Sequence, residues 1–358
     1  MASVEHAVGR GIVDLRVRMQ PASSTVNPEP GGAALDPEVA AMLYAMRLSG
    51  YTSLSAGGVE KARGRMRHDA QVHAGNKTGV GSVRDLSIDG PAGALGARHY
   101  TPETRDSAPP LIVFYHGGGF ALGDLETHDE PCRMLCRYAE AHVLAIDYRR
   151  APEHLFPAAT DDALAALRWA QTNAKQLGAD PNRIAVAGDS AGANLATVAC
   201  LMAAAAGDAL PQLQLLFYPC TDSTMLHPSR SLFAQGYFLT QADIDFFFRL
   251  YVGSFDDLSD PRVSPLRAKQ LTNLPPSLVV TAGFDPLRDE GEAYAAALRA
   301  AGNKVELRRM PSLIHGFLNM GGMSRLSRET TRELAQWAHH ALRTAPSAAT
   351  SASALGAV

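Results

Sequence analysis

An α/β fold, a mostly parallel central sheet flanked by helices, is predicted for this 358-residue chain by two observations. Short apolar runs alternate with helical patterns from about residue 82, and the runs at 111–115 and 142–146 carry no alternation of apolar and polar residues. Strands covered on both faces read as continuous apolar runs. Strands separated by helices imply parallel pairing with right-handed crossovers.

In chain order, Asp36-Pro37 supplies a cap followed by proline at the first helical position, and Val39, Met42, Leu43 and Met46 then recur at helical spacing. Residues 111–115 (LIVFY) and 142–146 (HVLAI) are strands, and 163–170 has a helical pattern. Next come 183–187 (RIAVA), a long Ala-rich helix, 213–217 (LQLLF), 277–281 (SLVVT), a helix over 288–301, and a strand at 304–309. Between Cys220 and about Leu274 the rhythm breaks into an aromatic-rich stretch. The expected organisation is an N-terminal cap segment (1–80), a core in two pieces (81–221 and 263–345), a second cap segment (222–262) and a disordered Ala/Ser tail (346–358). Residues 20–36, rich in Pro, Gly and Ser, read as a loop.

Composition narrows the function classes. The chain is 46% hydrophobic and 19% charged, which excludes wholesale disorder, collagen and coiled coil. A net charge of −3 with no basic run leaves no footprint for nucleic acid or an anionic membrane. The longest small-residue apolar stretch, 195–206, is far shorter than the roughly 20 residues a spanning helix needs. The N-terminus has no apolar block, so no secretory signal is expected. Cys132, Cys136, Cys200 and Cys220 complete no zinc pattern and read as reduced packing residues of a cytoplasmic protein. A homodimer is left open.

Chemistry concentrates in four places. Gly188-Asp189-Ser190-Ala191-Gly192 stands between a strand and a helix, the setting of a G-x-S-x-G nucleophile elbow. There the serine is exposed on a sharp turn, with the helix's positive end and the Ala191 N–H aimed at the same space. The plainer alternative is that Ser190 only caps the helix. His116-Gly117-Gly118-Gly119 follows the strand at 111–115 and can present backbone N–H groups to an oxyanion. A phosphate-binding loop would need G-K-[ST] or G-x-G-x-x-G, and neither is present. His116 reads as a hydrogen-bonding strut for that loop. Asp285 lies just past the strand at 277–281, before Pro286, and its alternative role is a helix cap; Asp289 and Glu290 are better explained by the helix dipole. His315 follows the last strand, after a short loop containing Pro311, and among the 12 histidines it alone combines that position with the chain order Ser, acid, His.

Taken together, HGGGF, GDSAG, DPLRDEG and HGF resemble the hormone-sensitive-lipase-like family of α/β-hydrolases, with its bacterial short-chain carboxylesterases. The likeness runs over roughly residues 80–320 and includes 116–129 and 147–159, where Arg150 and Leu155 depart from the commoner Leu and Pro. The resemblance implies an α/β-hydrolase fold with a helical cap, Ser190 as nucleophile, His315 as base and Asp285 as its partner. It implies an oxyanion hole from Gly118, Gly119 and Ala191, with His116, Gly117 and Asp189 as motif support. No metal or cofactor is required, and the expected partner is a small-molecule ester of short to medium acyl chain. Two other uses of the same machinery are an amide, carbamate or acetyl-group hydrolase, and a non-catalytic receptor of the kind the plant gibberellin receptors represent. The presence of His315 speaks against the receptor. Whether the stripe at Phe246–Tyr251 is core or substrate wall is open at this point.

Overall fold

The computed structural model describes residues 26–27, 29, 32–73, 75–225, 227–253 and 258–344. The expected tail lies outside the described residues, as do residues 1–25. The strands are β1 (Ser82–Gly90), β2 (Gly93–Thr101), β3 (Leu111–Tyr115), β4 (His142–Asp147), β5 (Ile184–Asp189), β6 (Leu213–Phe217), β7 (Ser277–Phe284) and β8 (Val305–Ile314). They form one sheet in the order β1-β2-β4-β3-β5-β6-β7-β8. β1 and β2 make an antiparallel hairpin and β2 runs antiparallel to β4; all later pairs are parallel. The strand–helix alternation therefore begins at β3 and not near residue 82. The hairpin sits at the sheet edge, and the mostly exposed or half-buried side chains of β1 leave no continuous apolar run.

The helices are α1 (Pro37–Leu48), α2 (Val59–His73), α3 (Asp129–Ala139), α4 (Ala158–Asn173), α5 (Ala191–Ala206), α6 (Pro228–Leu232), α7 (Gln241–Val252), α8 (Arg288–Ala300) and α9 (Arg325–Thr344). α1 starts as its sequence dictates, with the Asp36 carboxylate accepting the Val39 N–H at 3.0 Å. Successive strand residues feed opposite faces. Leu111, Val113 and Tyr115 enter a core with α4, α5 and α8, while Ile112 and Phe114 enter a second core with α1, α3 and α9. The result is a helix–sheet–helix sandwich. Among the described residues no helix is long and apolar enough to cross a membrane, and all four cysteines are free and buried.

Strand order decides what can meet. β3 lies between β4 and β5, so the chain leaves β3 in one direction to form β4 and later returns on the other side. Ligand crevices open at the carboxyl ends of strands at such a switch. Tyr115 is in register with Gly188, which sets the glycine loop after β3 beside the turn after β5. Phe284 is in register with Ile314, which sets Asp285 beside His315.

One boundary differs from expectation. Pro311 lies inside β8, which continues to Ile314, so His315 follows the strand directly. β8 is an edge strand, where a residue without an N–H is tolerated, and the pairing slips between Ala282 and Phe284. Gly283 fills that irregularity, because a Cβ there would collide with the Pro311 carbonyl.

Candidate active site

The turn after β5 is built by close backbone approach. Ser190 has φ 56° and ψ −120°, a strained geometry for a residue with a side chain. A Cβ on Gly192 would strike the Tyr115 carbonyl oxygen, and one on Gly188 would strike that of Gly192. Only glycine at both places lets α5 start this close to β3. Ser190 occupies the N-cap position of α5, yet its side chain makes no cap hydrogen bond. Its Oγ–H instead points to His315 Nε2 at 2.9 Å. Nδ1–H of the same ring donates to Asp285 Oδ2 at 2.8 Å. The other oxygen, Oδ1, accepts the Leu287 N–H at 2.8 Å, so Asp285 both orients the imidazole and caps the turn before α8. Asp285 is fully buried and His315 is 5% exposed.

The glycine loop completes the site. The Gly117 N–H is taken by Asp189 Oδ1 at 2.8 Å and so is turned away from the pocket. The N–H groups of Gly118, Gly119 and Ala191 have no acceptor among the described residues, and all three residues line the pocket. Gly119 has φ 61°, and a Cβ there would run into the Phe247 ring. Three unclaimed N–H donors beside a serine hydroxyl can hold an oxyanion.

Asp189 ties the two halves together. Besides Gly117, its carboxylate faces His128 Nε2 at 3.2 Å and the Tyr218 hydroxyl at 3.4 Å. Burial pushes this carboxyl up, and the neighbouring His128 with the Gly117 N–H more than offsets it, leaving it below the usual range. His116 donates Nδ1–H to the Gly117 carbonyl at 2.9 Å, and its own carbonyl takes the Tyr148 hydroxyl at 2.7 Å. His128, Tyr148 and Tyr218 were not singled out from sequence; no motif marks a residue whose partner is a backbone carbonyl or a carboxylate from a distant strand. Asp289 and Glu290 also do more than answer a helix dipole. Asp289 accepts the Ser229 N–H at 2.8 Å, and buried Glu290 pairs with Arg230 at 2.7 Å, so both fasten α6 to the core. Arg150 fits by donating to the Gly123 carbonyl, and Leu155 stands 47% exposed.

Buried neutral histidines bear on acid stability. His116 Nε2 is buried without a partner, and burial, with His128 nearby, lowers this ring to about 3. His99 Nε2 and His142 Nδ1 share one proton at 2.9 Å; burial, then His142, lowers His99 to about 4. In the unfolded chain both titrate near about 6.5. Below that pH the unfolded state binds the extra protons, so stability falls as pH drops from about 6.5 toward about 4. Each histidine adds a slope of about 1.4 kcal/mol per pH unit. Urea midpoints at pH 7 and pH 4.5 check this, and His99→Gln should make the fall shallower by about one proton's worth.

The pocket over Ser190 is walled mostly by apolar side chains from α2, the segment before α7, and α7 itself. The space that the centre of a water-sized sphere can reach within it is about 100 Å³. Phe247 and Phe248 of α7 belong to this wall, whereas Tyr251 stacks on Phe120 at 3.9 Å in the core. The aromatic stripe thus divides between the two roles. Arg63 of α2 reaches the Ala121 and Ala151 carbonyls at 2.8 and 2.9 Å and pairs with Glu153, fastening α2 beside the glycine loop.

Comparison with known proteins agrees with this fold. Residues 112–319 match a family described by the alpha/beta hydrolase fold. The carboxylic ester hydrolase LipN of Mycobacterium tuberculosis is 49% identical over 310 residues, spanning 85% of this chain and 82% of LipN. The ethyl acetate hydrolase of Pseudomonas putida is 37% identical over 302 residues, 81% of this chain and 94% of its own. An ester hydrolase from the Lake Arreo metagenome, solved in complex with a bipyridine phosphonate derivative, superposes with a TM-score of 0.83. It is 40% identical and covers 87% of this chain and 100% of its own. The chain belongs to the hormone-sensitive-lipase-like family of α/β-hydrolases.

Proposed function

We propose that this protein is a serine carboxylesterase that hydrolyses esters of short to medium acyl chain through an acyl-enzyme on Ser190. The reading rests on one observation: Ser190 Oγ, His315 and Asp285 form an unbroken hydrogen-bonded line, 2.9 and 2.8 Å, beside three unclaimed N–H donors. His315 Nε2 takes the hydroxyl proton as Oγ attacks the ester carbonyl. Asp285 holds the tautomer that leaves Nε2 free and balances the imidazolium. The donors at Gly118, Gly119 and Ala191 receive the charge that develops on the carbonyl oxygen. His315 then protonates the departing alcohol, and water brought in by the same base releases the acid. Relatives named as carboxylic ester hydrolases and as an ethyl acetate hydrolase support this chemistry.

Among the described residues, α2 of the first cap segment and α7 of the second act as a two-piece cap over a bounded pocket. The four buried free thiols support a reducing compartment, the cytoplasm. Each acyl methylene buried contributes up to about 0.8 kcal/mol until the space is full. On p-nitrophenyl esters, kcat/KM should peak from butyrate to hexanoate and collapse at palmitate, with no rate jump on emulsified substrate. Best activity on palmitate or on emulsified triolein would overturn the bounded pocket. Labelling by a fluorophosphonate, mapped to Ser190, tests the nucleophile; an unlabelled serine would favour a receptor.

A further inference from the structure

We infer that Asp69, on the pocket-facing side of α2, recognises a hydroxyl group on the alcohol portion of the substrate, so that the preferred esters are those of diols and polyols. This rests on the esterase reading and names the substrate class of the same site.

The α2 residues that line the pocket are Ala62, Arg65, Met66, Asp69, Ala70 and His73. Their spacing of three and four places them on one helix face. Ala62, Met66 and Ala70 suit an apolar wall, but Arg65, Asp69 and His73 form a polar row through it. Arg65 is already engaged: its guanidinium donates to the carbonyls of Ser53, Leu54 and Ala56 at 3.1, 2.6 and 3.3 Å and lies 5.3 Å over the Tyr51 ring. Neither the Asp69 carboxylate nor the His73 imidazole has a hydrogen-bond partner among the described residues. Desolvation pushes the Asp69 carboxyl up, against the pull of His73, His68 and Arg65. Desolvation likewise pushes His73 down. A carboxylate drawn partly out of water and lacking a protein donor is stabilised when a ligand supplies one.

Position selects the alcohol side. The His73 carbonyl accepts the Gly322 N–H at 2.7 Å, which seats the last turn of α2 on the segment that follows His315. Gly316, Asn319 and Met320 of that segment line the pocket with Asp69 and His73. His315 is the group that hands a proton to the departing alcohol, so the alcohol leaves toward this wall. Asn319 adds a second acceptor, since its Oδ1 is buried with no partner among the described residues. Elsewhere the lining includes Phe247, Phe248 and Ile244 of α7, which suit an acyl chain. With Arg65 and His73 flanking Asp69, the local charges nearly cancel. A neutral hydroxyl donor therefore fits this row better than a cation.

The test compares glycerol monobutyrate with propyl butyrate, which have the same acyl group and a three-carbon alcohol. A site built to hydrogen-bond a hydroxyl discriminates strongly against the analogue that lacks it. Wild-type kcat/KM should favour glycerol monobutyrate by at least about tenfold, as expected for one hydrogen bond to a charged group. Asp69→Leu should bring that ratio close to one, and Asp69→Asn, which keeps an acceptor oxygen, should give an intermediate ratio. A wild-type ratio near one, or a preference that survives in Asp69→Leu, overturns the inference; the wild-type ratio decides even if the leucine variant does not fold. If wild type cleaves neither ester nor p-nitrophenyl butyrate, the esterase reading itself fails. If it cleaves p-nitrophenyl butyrate but does not discriminate between the two alkyl esters, only the role of Asp69 fails.

Discussion

Ser190→Ala is expected to lower kcat by about 10⁴–10⁶-fold while leaving the fold intact. The hydroxyl is the only atom group lost, and its single hydrogen bond is to His315. It makes no cap bond to α5, so the helix start does not depend on it. Ser190 also sits at φ 56°, set by backbone contacts of Gly188 and Gly192 that alanine leaves untouched. Residual turnover should come from the donors of Gly118, Gly119 and Ala191, which the substitution does not disturb. Steady-state kinetics on p-nitrophenyl butyrate and a thermal melt check both halves. Activity within tenfold of wild type would remove Ser190 from the mechanism.

Asp285→Asn should cost roughly 10⁴ in kcat, because an amide turned toward Nδ1 favours the wrong imidazole tautomer and carries no counter-charge. Asp285 is fully buried, and its Oδ1 also accepts the Leu287 N–H, a bond the Asn oxygen can keep. If the amide keeps that bond, its NH₂ faces His315 and the tautomer inverts; turned the other way, it opposes two N–H groups. Asp289 is the comparison. Its carboxylate binds the Ser229 N–H and the Arg288 side chain and does not touch His315. Asp289→Asn should therefore lower stability by up to about 1.5–3 kcal/mol, the range for hydrogen bonds to a charged group, with kcat changed by less than about threefold. Chemical denaturation with kinetics on both variants separates the roles. Similar kinetic losses would mean that Asp285 is not the acid.

The core strands and the four motifs were legible in the linear chain because each is a local signal. Short apolar runs such as 111–115, set between helical patterns, read as strands covered on both sides, and glycines flanking Ser190 between strand and helix specify a tight turn. The order Ser190, Asp285, His315 could be read without coordinates. What depended on tertiary structure was everything carried by pairing between distant segments. Strand order and register bring residues 125 and 30 positions apart into hydrogen-bond contact at His315. The same packing turns Gly117 away from the site by giving its N–H to Asp189, leaving Gly118 and Gly119 unclaimed. It divides one aromatic stripe between pocket wall and core, and it gives Asp289 and Glu290 partners on α6. It also sets the half-buried Asp69 against the pocket. A helical period says which residues share a face, but what that face meets is settled by the burial and hydrogen-bond demands of the whole chain.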